Sequence, residues 1–403
     1  MRFGFTTGSC AAAGAKAACY MLLSGREKRL IVIRTPKGID FRAEILDIRR
    51  SESEVSCAVR KDGGDDPDIT TGAHIVSTVR LLEKKGEGAG EPSSGCYVVI
   101  KGGKGVGKVT KPGLDQEVGS AAINRVPRAM IEKEVREVCS LFDYAGGVEV
   151  EISVPEGEAL CGRTFNPRLG IVGGISILGT SGVVEPMSAQ ALKDTIFVEL
   201  RQNRALGRGA VCVSPGNYGL DFMKETFDFD IGKSVKCSNF IGDTIDMARE
   251  LGFRKILLAG HIGKLIKISG GIMNTHSREG DCRMELLCAA AVKAGCSLET
   301  ARLVLEAVST EEGISAIRKE SLEKESEARK NGGGLETGGS HGCANSRKTL
   351  LESAMDLMME KIMFFLEKRA GENLETACIV FCNEFGLLAK SRNALSVLDE
   401  CRE

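Results

Sequence analysis

Tryptophan is absent from this 403-residue chain, and aromatic residues make up only 5% of it. Base-stacking platforms for single-stranded nucleic acid are therefore poorly provided. An excess of charge is missing too: 54 Lys and Arg stand against 55 Asp and Glu. No global field draws the protein to nucleic acid or to an anionic membrane surface. Histidine is scarce, with only His74, His261, His276 and His341. The fifteen cysteines include no Cys-x-x-Cys pair, which leaves a zinc site poorly signalled. Odd in number and scattered from Cys10 to Cys401, they read as free or buried thiols of a reducing compartment. No stretch reaches the roughly 18 uncharged apolar residues of a membrane span. The Ala-rich opening carries Lys16 and lacks the Leu-rich core of a signal peptide. The expectation is a soluble, cytoplasmic protein with no metal of its own, no nucleic-acid partner and no membrane partner; a homo-oligomer is compatible with it.

What the chain has is glycine, 49 residues of it, and 42% hydrophobic residues, enough for buried cores in two or three domains. Small residues over 9–23, ended by Gly25, predict a compact helix. Apolar runs at 30–33, 55–59, 96–100 and 148–154 predict strands, and 123–141 contains an amphipathic helix after Pro127. This mixture predicts a two-layer α+β domain over 1–158. Beyond it, runs at 171–177, 210–213, 235–237 and 255–259 end in Gly- or Asn-containing turns. Helices separate several of them, notably 241–251 with Gly252 as its stop. Buried parallel strands alternating with helices predict a doubly wound, Rossmann-like α/β domain over 159–403. Leu351, Met355, Met358, Ile362 and Phe365 recur at helical spacing, as core packing does. The run 377–382 reads as a last strand that points Cys378 and Cys382 to one side, and the Gly-rich stretch 331–346 as a flexible insertion.

The densest chemical signal is 166–182, where an Asn-Pro entry leads into a β-branched run broken by Gly173, Gly174, Gly179 and Gly182. Glycine weakens a strand, so this density implies a backbone that something approaches closely. A second signal is 101–113, with Lys101, Lys104, Lys108 and Lys111 and no acid. As a phosphate loop it fails: Val109 stands where a magnesium-holding hydroxyl belongs, and Pro112-Gly113 prevent the following helix. It remains either a cationic loop for carboxylates or a solvated turn. Arg125 and Arg128 flank Val126-Pro127 as further cations. Asp62, Asp65, Asp66 and Asp68 crowd one short loop, as turn caps or as a carboxylate group that orients water or a substrate nitrogen; the late Glu of a calcium loop is missing. Thr6-Thr7-Gly8-Ser9 lies at the start of the first helix, with Thr7 or Ser9 as its cap and with free amides that favour an anion. Gly260, His261 and Gly263 follow a predicted parallel strand, where α/β sheets gather ligands, and Ser214-Pro215-Gly216-Asn217 offers another such loop. His276 and Asp281 form a second candidate acid/base pair, which caps and turns explain equally well.

Taken together, Phe5-Thr6-Thr7-Gly8-Ser9-Cys10-Ala11-Ala12, the loop 102–113, the segment 166–182, Ser238-Asn239-Phe240-Ile241-Gly242 and Ala259-Gly260-His261-Ile262-Gly263-Lys264-Leu265 make the chain resemble the cobalt-precorrin-5B C1-methyltransferases of oxygen-independent cobalamin biosynthesis. The shared stretches keep their order from near the N-terminus to about Glu285. Family members share the Asp65-Asp66-Pro67-Asp68 element but usually carry proline where Arg125 stands. The resemblance implies methyl transfer from S-adenosylmethionine, as cosubstrate, to C1 of a tetrapyrrole whose cobalt arrives with the substrate. It favours the carboxylate reading of the lysine loop, because that substrate is rimmed by acetates and propionates. The expected assignments are Gly173, Gly174, Gly179, Gly182, Gly216, Gly260 and Gly263 at the cosubstrate. Thr6, Thr7, Asp65, Asp66, Lys104, Lys108, Lys111 and Arg128 are expected at the macrocycle, with His261, His276 and Asp281 as acid/base candidates. A non-catalytic tetrapyrrole escort and, more remotely, a phosphotransferase are the alternatives.

Overall fold

The computed structural model describes residues 2–82, 96–164, 166–185, 188–331 and 348–403. Apart from Asn331, the predicted insertion at 331–346 lies outside the described residues. The chain divides into two compact units, Met1–Ala189 and Gln190–Glu403.

The first unit is a mixed sheet under two helices. Its five strands run in the order Leu46–Arg50, Glu54–Arg60, His74–Leu82, Gly147–Ser153, Tyr97–Gly102. Neighbours are antiparallel except Tyr97–Gly102, which joins Gly147–Ser153 in parallel through a crossover carrying the helix Arg125–Leu141. The helix Thr7–Ser24 starts where the Thr6 side chain accepts the Ser9 N–H, and stops at Gly25, whose φ of 71° only glycine adopts cheaply. Its alanines, Ala11 to Ala13, Ala15, Ala17 and Ala18, are wholly buried. Their small side chains let the helix lie close on the sheet, and a Cβ at Gly14 would come within 2.7 Å of Ser77 Oγ. Strand residues Val55, Cys57, Ile75, Val79, Val148, Val150 and Ile152 complete that core. The α+β expectation for this unit agrees with the architecture.

The predicted boundary at 158 falls inside this unit, and 171–177 is no buried parallel strand. Gly170 and Gly173 have φ of 67° and 76°, which break the extended run and leave only Ile171–Val172 as a strand, antiparallel to Lys108–Val109. Val183–Val184 pairs with Gly4–Phe5. The glycine-rich segment is thereby built into the first unit at both ends.

The second unit carries a five-stranded sheet in the order Ser234–Lys236, Ala210–Ser214, Lys255–His261, Glu375–Cys382, Gly386–Lys390. The first four strands are parallel and the last is an antiparallel edge. Alternate residues feed two cores. Val211, Val213, Ile256, Leu258, Cys378, Val380 and Cys382 meet the helices Ile241–Glu250 and Leu350–Ala370. Cys212, Leu257, Ala259, Ala377 and Ile379 meet Met223 of Asn217–Phe227 and Val397 and Leu398 of Ala394–Arg402. Both faces are covered, as near-continuous apolar strands require. The predicted stripe of Met355, Met358 and Ile362 lies in the first of these cores. Helices Arg283–Lys293 and Thr310–Asn331 pack with Leu350–Ala370, and Leu298–Glu306 packs on those two. Among the described residues no helix is long and apolar enough to cross a membrane.

Candidate functional site

Glycine has a specific cause in the first unit: two stretches of the chain's own backbone touch. A Cβ at Gly105 would fall 1.8 Å from Val154 O, one at Gly174 2.3 Å from Gly105 O, and one at Gly157 2.0 Å from the same oxygen. Hydrogen bonds hold the contact, from Ile175 N to Gly105 O (3.0 Å) and from Gly107 N to Ile175 O (3.0 Å). Gly179 and Gly182 likewise face Thr6 and Thr35, where a Cβ would sit 2.2 and 2.8 Å away. Close approach was the correct inference, but the approaching group is protein. Of the four glycines expected at the cosubstrate here, Gly173 alone would place a Cβ in open space.

The same segment closes the start of the first helix. Gly8 N donates to Leu178 O (3.0 Å), Ser9 Oγ to Gly182 O (2.7 Å), and Thr7 Oγ1 accepts from Leu178 N (2.9 Å). Thr6 and Thr7 are buried in these duties. The acidic loop is also engaged. Asp62 pairs with Arg2 and Asp68 with the buried Lys61, while Asp65 accepts from Arg2 N (2.7 Å); Asp66 also has a partner. The cluster clasps the N-terminal strand. Arg128 donates to Ile123 O (2.9 Å) and Ile100 O (3.3 Å), and burial lowers its pKa.

Lys104, Lys108 and Lys111 differ. All three are exposed, and none has an acidic partner among the described residues, whereas Lys101 pairs with Glu149 at 2.6 Å. They stand on the glycine contact just described, with the Lys111 stem lying over Gly170. Beside them is a pair that reading the sequence missed. Glu156 accepts from His74 Nδ1 (3.0 Å) and from His74 N (3.3 Å), and Gly157, its neighbour in sequence, packs on Gly105. Burial pushes the Glu156 carboxyl up, but its hydrogen bonds, first that from His74, hold it below the ordinary value. Eighty-two positions separate His74 from Glu156, and no motif links them.

In the second unit the candidate residues Gly216, Gly260, His261 and Gly263 lie at the carboxyl ends of the strands Ala210–Ser214 and Lys255–His261. These are neighbours whose connections leave to opposite sides of the sheet, the place where α/β sheets open a crevice. Gly216 opens the helix Asn217–Phe227, and a Cβ there would meet nothing within 4 Å. A Cβ at Gly260 would lie 3.0–3.1 Å from Leu265 and Pro215, and Lys264 donates to Pro215 O (3.0 Å), tying the two loops together. Burial, then the nearby Lys267, lowers the Lys264 pKa. His261 Nδ1 accepts from Gly263 N (3.1 Å), and Nε2 lies 2.8 Å from Glu311 Oε1 without the alignment of a hydrogen bond. With Nδ1 accepting, the neutral ring carries its proton on Nε2, toward the carboxylate. Neither nitrogen is left as a free base.

His276 and Asp281 are not brought together as a pair. His276 is exposed and accepts from Arg278 N (3.1 Å) in its own turn; Asp281 is held by Arg283 through bonds of 2.7 and 2.8 Å, which lower its pKa. Buried Lys267 donates to Gly280 O (2.8 Å) and Thr275 O (3.3 Å), fastening this loop.

Residues 1–186 match the family model described as CbiD, and 274–327 the one described as CbiD, C-terminal domain. A cobalt-precorrin-5B C(1)-methyltransferase of Ruminiclostridium cellulolyticum is 47% identical over 80% of this chain and 81% of its own. One of Alkaliphilus metalliredigens is 39% identical over 99% and 94%. The chain belongs to the CbiD family of cobalt-precorrin-5B C(1)-methyltransferases. A crystal structure titled as the cobalamin biosynthesis protein cbiD of Archaeoglobus fulgidus is 26% identical over 69% of this chain and 83% of that one, with a TM-score of 0.34.

The first CbiD match ends close to the end of the first compact unit, so the glycine-rich segment and the lysine loop belong to one family module. The second match spans the loop around His276 and the helices from Arg283–Lys293 into Thr310–Asn331, where Glu311 lies.

Proposed function

We propose that this protein is a cytoplasmic methyltransferase that moves the methyl group of S-adenosylmethionine to C1 of cobalt-precorrin-5B, giving cobalt-precorrin-6A in oxygen-independent cobalamin biosynthesis. The observation that carries this reading is the 39% identity to a cobalt-precorrin-5B C(1)-methyltransferase over 99% of the chain. S-adenosylmethionine, when bound, supplies a methyl carbon on a sulfonium leaving group. The protein's principal task is then orientation, worth about 7–11 kcal/mol of barrier when geometry is held well. Cobalt belongs to the substrate.

For the cosubstrate we favour the carboxyl edge of the second unit, taken as Rossmann-like. The residues fit such a ligand: Gly216 leaves open space at a helix start, Lys264 offers a half-buried cation for an amino-acid carboxylate, and Glu311 an anion for an ammonium or sulfonium. Gly260 and Gly263 shape the floor beside His261. For the macrocycle we favour Lys104, Lys108 and Lys111, whose charges are exposed and unpaired among the described residues. Charge-assisted hydrogen bonds contribute about 1.5–3 kcal/mol each, so a few suffice for a polycarboxylate. Incubation with methyl-labelled S-adenosylmethionine and cobalt-precorrin-5B should yield a product heavier by one labelled methyl group. Folded protein that binds both ligands and transfers no label would make it an escort instead.

A further inference from the structure

The bond from Glu156 to His74 fixes more than a side-chain position. An ionised carboxylate only accepts, so in the neutral ring of His74 Nδ1 carries the proton and Nε2 has the lone pair. The second oxygen of Glu156 takes the backbone N–H of the same residue at 3.3 Å, which clamps the ring's orientation. Nε2 has no partner among the described residues, and the side chain is 35% exposed. This is the arrangement of an oriented general base. At His261 the opposite holds, with Nδ1 already accepting. The base also stands on the substrate-facing scaffold: Glu156 precedes Gly157, which packs on Gly105, and Lys104 O accepts from Val154 N at 2.8 Å.

We propose that His74, positioned by Glu156, is the base that takes a proton from the macrocycle during its methylation. The proposal rests on the methyl-transfer reading above. As the C1–CH3 bond forms, the methyl–sulfur pair stays on sulfur and the macrocycle becomes one unit more positive. It returns to its original charge by giving a ring N–H or C–H proton to Nε2, the pair of that bond remaining in the ring. The imidazolium so formed is held against Glu156. The other charges around His74 are Arg60, its cross-strand partner, the Lys61–Asp68 pair, whose Lys61 N bonds Ala73 O at 2.9 Å, and Lys104 on the adjoining loop.

Nitrogen-15 NMR of histidine-labelled protein should find the neutral His74 ring protonated at Nδ1, in contrast to His261, which should be protonated at Nε2. In steady-state assays with labelled S-adenosylmethionine, His74→Ala should lower kcat about 100-fold or more and leave KM within about twofold, with partial rescue by added imidazole. Glu156→Gln should lower kcat less and shift the acid limb of the kcat–pH profile at unchanged KM. Thermal melts and S-adenosylhomocysteine calorimetry check that each variant is folded. An active parent with an equally active His74→Ala, or a His74 ring protonated at Nε2, overturns the base. A folded parent that transfers no methyl group overturns the methyl-transfer reading, and the base falls with it.

Discussion

Gly174 lies so close on Gly105 that a Cβ added to it would stand 2.3 Å from the Gly105 carbonyl oxygen. Gly105 in turn adopts φ of 72°, with Val154 O where its own Cβ would point. Two glycine-rich motifs of the first unit are therefore the two halves of one contact. Gly174 needs to be glycine because Gly105 is there, and Gly105 because Val154 is. That contact presents Lys104 and Lys108 to solvent and positions Gly157, and with it Glu156, against the same loop.

Gly174→Ala is expected to destabilise the first unit by about 2 kcal/mol or more, since a backbone carbonyl cannot step aside as a flexible side chain can. Gly105→Ala should cost more, because positive φ adds strain to the overlap. Denaturant melts measure both. Gly173→Ala, with open space but φ of 76°, should cost less than either. Equal stability of Gly174→Ala and the parent would refute the contact as the cause of that glycine.

Gly216→Val should separate stability from binding. The position is extended, at φ −179°, which valine accepts, and nothing lies near the added Cβ. Melting should change by no more than about 0.5 kcal/mol, as at most surface positions. S-adenosylhomocysteine should bind at least tenfold more weakly by calorimetry, because the branched side chain fills the crevice proposed for it. Unchanged binding would move the cosubstrate away from this strand end.

Local signals were legible in the sequence. The Gly25 stop of the first helix, the runs that became Ala210–Ser214 and Lys255–His261, and the same-face Cys378 and Cys382 all follow from spacing and capping chemistry, whereas the cap is Thr6 and not Thr7 or Ser9. Residues 171–177 misled because apolar, β-branched composition signals a buried strand, while positive φ at Gly170 and Gly173 depends on distant backbone. For the same reason Thr6 and Thr7 look like an open anion site until Leu178 and Gly182 are seen to occupy it. His74 with Glu156 and His261 with Glu311 join residues far apart in the chain, so no local pattern announces them.

Glu320 should give the second unit a distinct acid sensitivity. It accepts from Ser297 N at 2.9 Å and Ser297 Oγ at 3.1 Å, and lies 2.8 Å from Lys324 Nζ. Burial raises its pKa, yet the bonds from Lys324, Thr300 and Ser297 win and bring it down from 4.5 to about 2. A depressed carboxyl pKa stabilises the fold fully above the unfolded value and loses that contribution as pH falls through the window from 4.5 to about 2. Glu320→Gln should be less stable than the parent at neutral pH, on the order of 2–3 kcal/mol. The gap should close as pH drops through that window, and a pH-independent gap would show that shape, not charge, matters there.

Replacing Lys104, Lys108 and Lys111 together by glutamine should raise the KM for cobalt-precorrin-5B several-fold while leaving thermal stability nearly unchanged. The three ammonium groups are exposed and hold no ion pair among the described residues, so folding has little to lose with them. Substrate carboxylates have more to lose, and the loss should depend on salt. At low ionic strength the parent benefits from its full charge; near 0.15 M the screening length is about 8 Å and the parent's advantage should shrink. Lys101→Gln is the informative control, because Lys101 already pairs with Glu149 and should affect KM less. A triple variant with parental KM at low salt would make the loop a solvated turn. A large drop in melting temperature would instead make the lysines part of the scaffold that Gly105 and Gly174 build.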